Sequence, residues 1–167
     1  RHFYPIRRRI MKKIECETLG VMLDMSRNAV MSVEALKEYL SCLQKMGYNC
    51  VFLYTEDTYE VEGEPYFGYM RGRYSINEMK ELDEFCTSIG IEVIPCIQTL
   101  AHLATHNKWG KVPFDYEQAL MVGDERVYEL IDHMFATLSK CFKTRRIHIG
   151  MDEAHMLGRG KYLDKNG

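Results

Sequence analysis

The sequence predicts a parallel α/β fold, and three observations carry that prediction. Apolar runs of strand length alternate with segments whose apolar residues recur at helical spacing. Capping residues and glycine stops mark the changes from one pattern to the other. Each apolar run also ends in polar or ionisable residues, the place where parallel sheets carry their chemistry. Alternating strands and helices imply parallel pairing through right-handed crossovers. At this level a (β/α)8 barrel and a small doubly wound parallel sheet satisfy the pattern equally.

The elements follow in order. Gly20-Val21-Met22-Leu23-Asp24-Met25 reads as a buried strand. Ser32 then caps a helix with Val33, Leu36, Leu40, Leu43 and Met46 on its apolar side and Gly47 as its stop. Cys50-Val51-Phe52-Leu53-Tyr54 is a second strand, followed by a Gly- and Tyr-rich loop. Ser75-Ile76-Asn77-Glu78 has the form of a capping box. The helix it opens turns Ile76, Met79, Leu82, Phe85, Cys86 and Ile89 inward, and Gly90 closes it. Ile91–Ile97 is a third strand, and a long loop with Trp109 and Pro113 leads from it to a cap at Asp124. A further helix runs to about Lys140, with Val127, Leu130, Ile131, Met134, Phe135 and Leu138 on one side. Arg146-Ile147-His148-Ile149-Gly150 is the fourth strand.

Composition narrows the class. The chain has 167 residues, 46% hydrophobic and 28% charged, enough for one packed domain and too ordered in pattern for a disordered tail. Its net charge of -2, from 22 basic and 24 acidic side chains, argues against a nucleic-acid binder. No run of 18 or more apolar residues exists, so no membrane-spanning helix is expected. The basic cluster Arg1, Arg7, Arg8, Arg9, Lys12 and Lys13 lacks the apolar stretch of a signal peptide and reads as a solvated linker. The six cysteines are widely spaced and without a C-x-x-C pair, so zinc and disulfide frameworks are not indicated. Reduced, mostly buried thiols in a cytoplasmic protein are the expectation.

The chemistry-bearing residues lie past the strand ends. They are Ser26, Arg27 and Asn28; Thr55, Glu56, Asp57 and Thr58; Gln98, Thr99 and His102; and Asp152, Glu153 and His155. One polar strand end is ordinary loop polarity, whereas four on one face form a catalytic pattern. Adjacent carboxylates such as Asp152 and Glu153 tend to separate their pKa values, so one serves as an acid while the other stays charged. An isolated Asp-Glu pair is usually surface polarity, but here the strand before it fixes the pair at the mouth of the sheet.

The segment Ile147-His148-Ile149-Gly150-Met151-Asp152-Glu153 resembles the His-x-Gly-x-Asp-Glu signature of family 20 glycoside hydrolases, the β-N-acetylhexosaminidases. Leu23-Asp24-Met25-Ser26-Arg27 is similar to that family's first-strand motif, and Tyr54-Thr55-Glu56-Asp57 to its second-strand acidic motif. Ile94–His102 is similar to the third-strand segment that ends in the family's histidine. The resemblance runs from Gly20 nearly to the end and is closest in wording to a bacterial, cytoplasmic-type branch. It implies a (β/α)8 barrel of which only the first four strands and three helices are present, since a whole barrel needs about 250 residues. Residues 1–18 are then a linker or the end of a preceding domain, and residues 19–167 the N-terminal half of the catalytic barrel.

The resemblance further implies an exo-acting enzyme on terminal β-linked N-acetylglucosamine or N-acetylgalactosamine, working by a substrate-assisted retaining mechanism without cofactor or metal. Glu153 is then the general acid and base, and Asp152 orients the acetamide and stabilises the charge developing on it. Asp57 and His102 are expected as a hydrogen-bonded relay behind Glu153. Arg27, Glu56 and Trp109 are expected to bind the sugar, Arg27 with fixed donors to hydroxyls and Trp109 by stacking. Packing under its loop explains Trp109 equally well. Tyr66, Phe67, Tyr69, Arg71 and Arg73 of the loop after the second strand can shape the rim of a sugar site, and loop packing explains the aromatics among them equally well.

The chain itself, as half a barrel, is expected to be inactive and to self-associate through open sheet edges. Its partner is a carbohydrate, with no nucleic acid and no membrane. Two other classes are a metal-dependent hydrolase using His148, Asp152, Glu153 and His155, and a non-catalytic sugar-binding module. His148 reads as a packing residue on its strand, and His106 and His133 as surface residues.

Overall fold

The computed structural model describes residues 16–27, 30–109 and 111–167. The basic cluster before Cys16 and the expected site residue Asn28 lie outside the described residues. The elements are β1 (Gly20–Asp24), α1 (Val33–Lys45), β2 (Cys50–Glu56), α2 (Ile76–Ser88), β3 (Glu92–Ile97), α3 (Ala104–Asn107), β4 (Phe114–Tyr116), β5 (Ala119–Leu120), α4 (Glu125–Cys141) and α5 (Lys161–Asn166).

The helices begin where capping chemistry dictates. Ser32 accepts the Ala35 N–H at 3.3 Å, and Asp124 accepts the Arg126 N–H at 3.1 Å. At Ser75 the capping box closes in both directions: Glu78 N donates to Ser75 Oγ at 3.2 Å, and Ser75 N donates to Glu78 Oε2 at 2.7 Å. Two amides that a helix start leaves without partners are thereby satisfied.

β1, β2 and β3 form a parallel sheet in sequential order, with Leu23 opposite Leu53 and Leu53 opposite Pro95. The expected fourth strand is a correction. Residues 146–150 run parallel along β3, but only one bridge forms, between Cys96 and His148. His148 N donates to Pro95 O at 2.9 Å, Ile97 N to His148 O at 2.9 Å, and Thr99 N to Gly150 O at 3.2 Å. Gly150, at φ 53°, then turns the chain out of the ladder.

Strand side chains alternate between faces. Leu23, Val51, Leu53 and Val93 enter one core with Leu36, Leu40 and Leu43 of α1, Met79 and Leu82 of α2, and Leu130 and Met134 of α4. Helix α2 packs on both α1 and α4, so the three form one layer on one side of the sheet. Met22, Phe52, Tyr54, Ile94 and Cys96 point to the opposite side, where Met22 is exposed and Phe52 meets His148 edge-on at 6.4 Å. Sequential strand order with helices on one face does not fit the doubly wound alternative, which reverses strand order and covers both faces. The described architecture is a parallel α/β layer pair of the kind a truncated barrel gives.

The loop after β3 is more ordered than the sequence suggested. It holds α3 and the β4–β5 hairpin, and the hairpin is tied to the rest of the loop by Leu120 N donating to Leu100 O at 2.8 Å. His106, expected on the surface, is 2% exposed and packs against Phe67 at 5.1 Å. That burial lowers its pKa, because an imidazolium loses hydration there.

Candidate active site

Four strand ends converge, as their sequence positions require in a parallel sheet. From β1 comes Arg27, whose Nη1 bonds Ser26 Oγ at 2.6 Å and also the Glu56 carboxylate. Ser26 Oγ is in turn oriented by Asp24 Oδ1 at 2.7 Å. The Glu56 partner holds the Arg27 pKa above its ordinary value.

β2 carries a bulge at its end: Tyr54 faces Cys96, but Glu56 faces Ile97, so the register slips between them. Bulges next to active sites re-aim side chains. Here the slip, with Glu56 at φ 50°, gathers four neighbours around one carboxylate. Besides Arg27, Tyr54 OH donates to Glu56 Oε1 at 2.9 Å, His102 Nδ1 lies 3.6 Å from it, and Arg71 Nη2 is 3.9 Å from Oε2. Burial pushes the Tyr54 hydroxyl up to about 12, so it stays protonated as a donor.

Asp57 was expected on His102, and the structure places it elsewhere. It is 1% exposed, and Arg71 Nε donates to its Oδ1 at 3.0 Å while Arg71 Nη2 donates to Ser26 O at 2.6 Å. The carboxylate beside His102 is Glu56. Arg71 is therefore a member of the constellation rather than a rim residue. No sequence spacing signalled it, because it reaches back from a loop that Gly68 folds against Asp57 O, where a Cβ would come within 2.0 Å.

From the end of β3 come Gln98 and His102. Gln98 is fully buried, and its Nε2 donates to Tyr54 OH at 3.0 Å and to Asp152 Oδ1 at 2.8 Å. That hydrogen bond is the main reason the Asp152 carboxyl sits below its ordinary pKa, with His102 adding a smaller pull in the same direction. His102 Nε2 stands between the carboxylate pair, 3.4 Å from Asp152 Oδ2 and 3.5 Å from Glu153 Oε2. Asp152 and Glu153 are open to solvent on their other sides, at 59% and 64% side-chain exposure.

The result is a line of groups, Arg27–Glu56–His102–Glu153, with Asp152 fixed alongside by Gln98. His102 and Glu153 share with Glu56 a left-handed backbone, at φ 60° and 51°. Such strain in non-glycine residues gathers at functional sites, where the surroundings over-determine it. A shallow depression of about 330 Å³ opens here, lined by Ser26, Arg27, Glu56, Arg71, His102, Ala104, Thr105 and Gln118.

Trp109 is not among those lining residues. It lies stacked on Tyr66 at 5.4 Å with Tyr69 edge-on at 5.1 Å, an arrangement that occupies one ring face with protein. His133 pairs with Glu64 at 3.1 Å. His148 is on the helix-free face of the sheet and His155 does not join the line. Among the described residues no group of three or more His, Cys, Asp and Glu side chains is arranged to hold a metal ion. Asp152, Glu153, His102, Arg27 and Glu56 of this site were visible in the sequence, Gln98 was visible only as a polar strand-end residue, and Arg71 only as a rim residue.

Comparison with known proteins agrees with the geometry. The pattern of "Glycosyl hydrolase family 20, catalytic domain" matches residues 19–162. Hexosaminidase D of Homo sapiens is 28% identical over 157 residues, covering 84% of this chain and 30% of the human protein. Hexosaminidase D of Bos taurus is 28% identical over 132 residues, covering 75% of this chain and 38% of the bovine protein. The chain thus spans about a third of the length of these relatives. Among solved structures, a Streptomyces plicatus N-acetyl-beta-hexosaminidase in complex with Thio-NAglucal superposes with a TM-score of 0.71 at 25% identity, covering 81% of this chain and 32% of that one. A second beta-N-acetylhexosaminidase gives a TM-score of 0.73 at 21% identity over 84% of this chain and 37% of that one, a likeness of fold alone. Among the described residues no helix is long and apolar enough to cross a membrane.

Proposed function

The chain belongs to glycosyl hydrolase family 20, and from that premise we propose that it supplies the proton-transfer half of an exo-acting β-N-acetylhexosaminidase. The observation that carries this reading is His102 Nε2 standing between Asp152 and Glu153 with Glu56 behind its other nitrogen.

The sugar is a terminal β-linked N-acetylhexosamine, and its own acetamide oxygen attacks the anomeric carbon. Glu153 gives its proton to the leaving glycosidic oxygen as that bond breaks. A cyclic oxazolinium forms, with positive charge spread over the former acetamide. Asp152, kept ionised by Gln98, accepts the acetamide N–H and offsets that charge. Glu153, now a carboxylate, takes a proton from water as the water opens the ring, and both the configuration and the enzyme are restored. Glu56 stands on the far side of the His102 ring, and His102 Nε2 faces the Glu153 carboxyl that carries the proton. Arg27, forked and held by Glu56 and Ser26, presents its remaining donors to sugar hydroxyls.

The test uses the full-length protein that carries this sequence. The N-acetylglucosamine thiazoline, a stable mimic of the cyclic intermediate, is expected to inhibit competitively. A chromogenic β-N-acetylglucosaminide is expected to be cleaved and the matching β-glucoside, which has no acetamide, to resist. Equal cleavage of both substrates contradicts the substrate-assisted step.

A further inference from the structure

Glu153 lies in a loop with little internal support. The backbone bonds within residues 151–159 are short-range turns: His155 N to Glu153 O, Leu157 N to Ala154 O and Arg159 N to Met156 O. Two residues of this stretch, Glu153 and Met156, have left-handed backbones at φ 51° and 61°, which non-glycine residues hold only under constraint. One end of the loop is pinned to β3, through the Thr99 N–H on Gly150 O.

The other end is pinned by a buried carboxylate from a different loop. Asp115, in β4, is 4% exposed. Its Oδ2 accepts the Gly158 N–H at 2.6 Å and its Oδ1 accepts the Tyr162 N–H at 2.7 Å. Gly160 seats so closely that a Cβ there would meet Asp115 O at 2.3 Å. Gly160 stands at the N-cap of helix α5 and has no side chain to cap it, and Asp115 supplies the missing acceptor to Tyr162 N, 47 residues away. The hairpin that carries Asp115 is itself bonded to the His102 loop, by Leu120 N on Leu100 O and by Asn107 Nδ2 on Glu117 O at 2.9 Å. Asp115 therefore ties the far end of the loop bearing Glu153 to the hairpin that is bonded to the His102 loop.

We infer that Asp115 is a positioning residue for the proton donor: it sets where Glu153 stands relative to His102 and the glycosidic oxygen. The inference rests on the reading of Glu153 as the general acid. Proton transfer in the transition state is sensitive to displacement on the ångström scale, so a loosened clamp acts on turnover rather than on sugar binding.

The experiment compares two leaving groups in the full-length protein. A dinitrophenyl β-N-acetylglucosaminide departs without protonation, whereas a disaccharide needs the acid. Asp115→Asn keeps the volume and one acceptor but sets an amide NH2 against a backbone N–H. Its kcat/KM on the disaccharide, which reports the step that breaks the glycosidic bond, is expected to fall about 10- to 100-fold, with thiazoline binding little changed and a much smaller fall on the dinitrophenyl substrate. Gly160→Ala, which prises the segment away while leaving the carboxylate intact, is expected to give the same leaving-group dependence. This second variant decides the matter if Asp115→Asn does not fold. An unchanged kcat/KM, or equal losses of kcat/KM on both substrates in a folded variant, overturns the role of Asp115. Glu153→Gln is the control. If it shows no leaving-group dependence, the assignment of Glu153 itself fails; if it shows one and Asp115→Asn does not, only the present inference fails.

Discussion

Gln98 is the residue on which the charge state of the site turns. It is buried and donates at 2.8 Å to Asp152, and that bond is the largest cause of the lowered Asp152 pKa. A carboxyl with a depressed pKa stays charged until the pH falls through the depressed value. Removing the donor lets the pKa rise, so the charged form is lost at a higher pH. Gln98→Leu is therefore expected to move the acid limb of the kcat/KM profile to higher pH, read from rates across the acidic range; an acid limb left in place means that Asp152 does not govern it. Residue-scale legibility was uneven for a physical reason. Strand ends announce themselves by composition, so Arg27, Glu56, His102, Asp152 and Glu153 were visible as candidates. The bulge between Tyr54 and Glu56 has no composition of its own, and it decides that Glu56 rather than Asp57 meets His102. His106 looked like a surface residue because its burial comes from Phe67, a loop residue far away in sequence.

The elements whose signals are local were the readable ones. Ser32, Ser75 and Asp124 each begin a helix as their side chains dictate, and the apolar stripes of α1, α2 and α4 face the core except at Met46 and Phe135, which are exposed. The β4–β5 hairpin was not readable. Its strands are too short to alternate, and its turn takes the left-handed angle at Glu117, φ 44°, without a glycine or asparagine to mark it. The fourth strand was read as continuous, yet it makes one bridge before Gly150 turns it outward. That glycine is required twice over. Its φ is +53°, and an added Cβ would lie 2.2 Å from Ile97 O and 2.7 Å from Gln98 Oε1. The left-handed backbone alone costs a side chain roughly 1–2 kcal/mol, and the carbonyl it meets belongs to a hydrogen-bonded strand. Gly150→Ala is expected to destabilise by at least about 2 kcal/mol, measured from the urea midpoint, and to lower kcat by shifting Asp152 and Gln98. A variant with parental midpoint and parental kcat contradicts this account of the strand end.

Among the described residues, sequential parallel strands and one helical layer leave part of the other face of the sheet open. Met22 is 51% exposed there, whereas Ile94 and Cys96 on the same face are buried. Strand–helix alternation alone left a barrel and a doubly wound sheet open, because periodicity does not say on which side a helix packs. The contact of α2 with both α1 and α4 settles the side. The same architecture sends every strand end to one rim, which is why Arg27, Glu56, His102 and Glu153, spread over more than a hundred residues of sequence, stand in one line. In the proposed mechanism Glu153 is the group that moves the proton. That role is tested most directly by the turnover of Glu153→Gln, in the full-length protein, on a β-N-acetylglucosaminide whose leaving group needs protonation. The kcat is expected to fall by about 100-fold or more in a protein that still binds the thiazoline; hydrolysis at close to the parental rate rules out Glu153 as the proton donor.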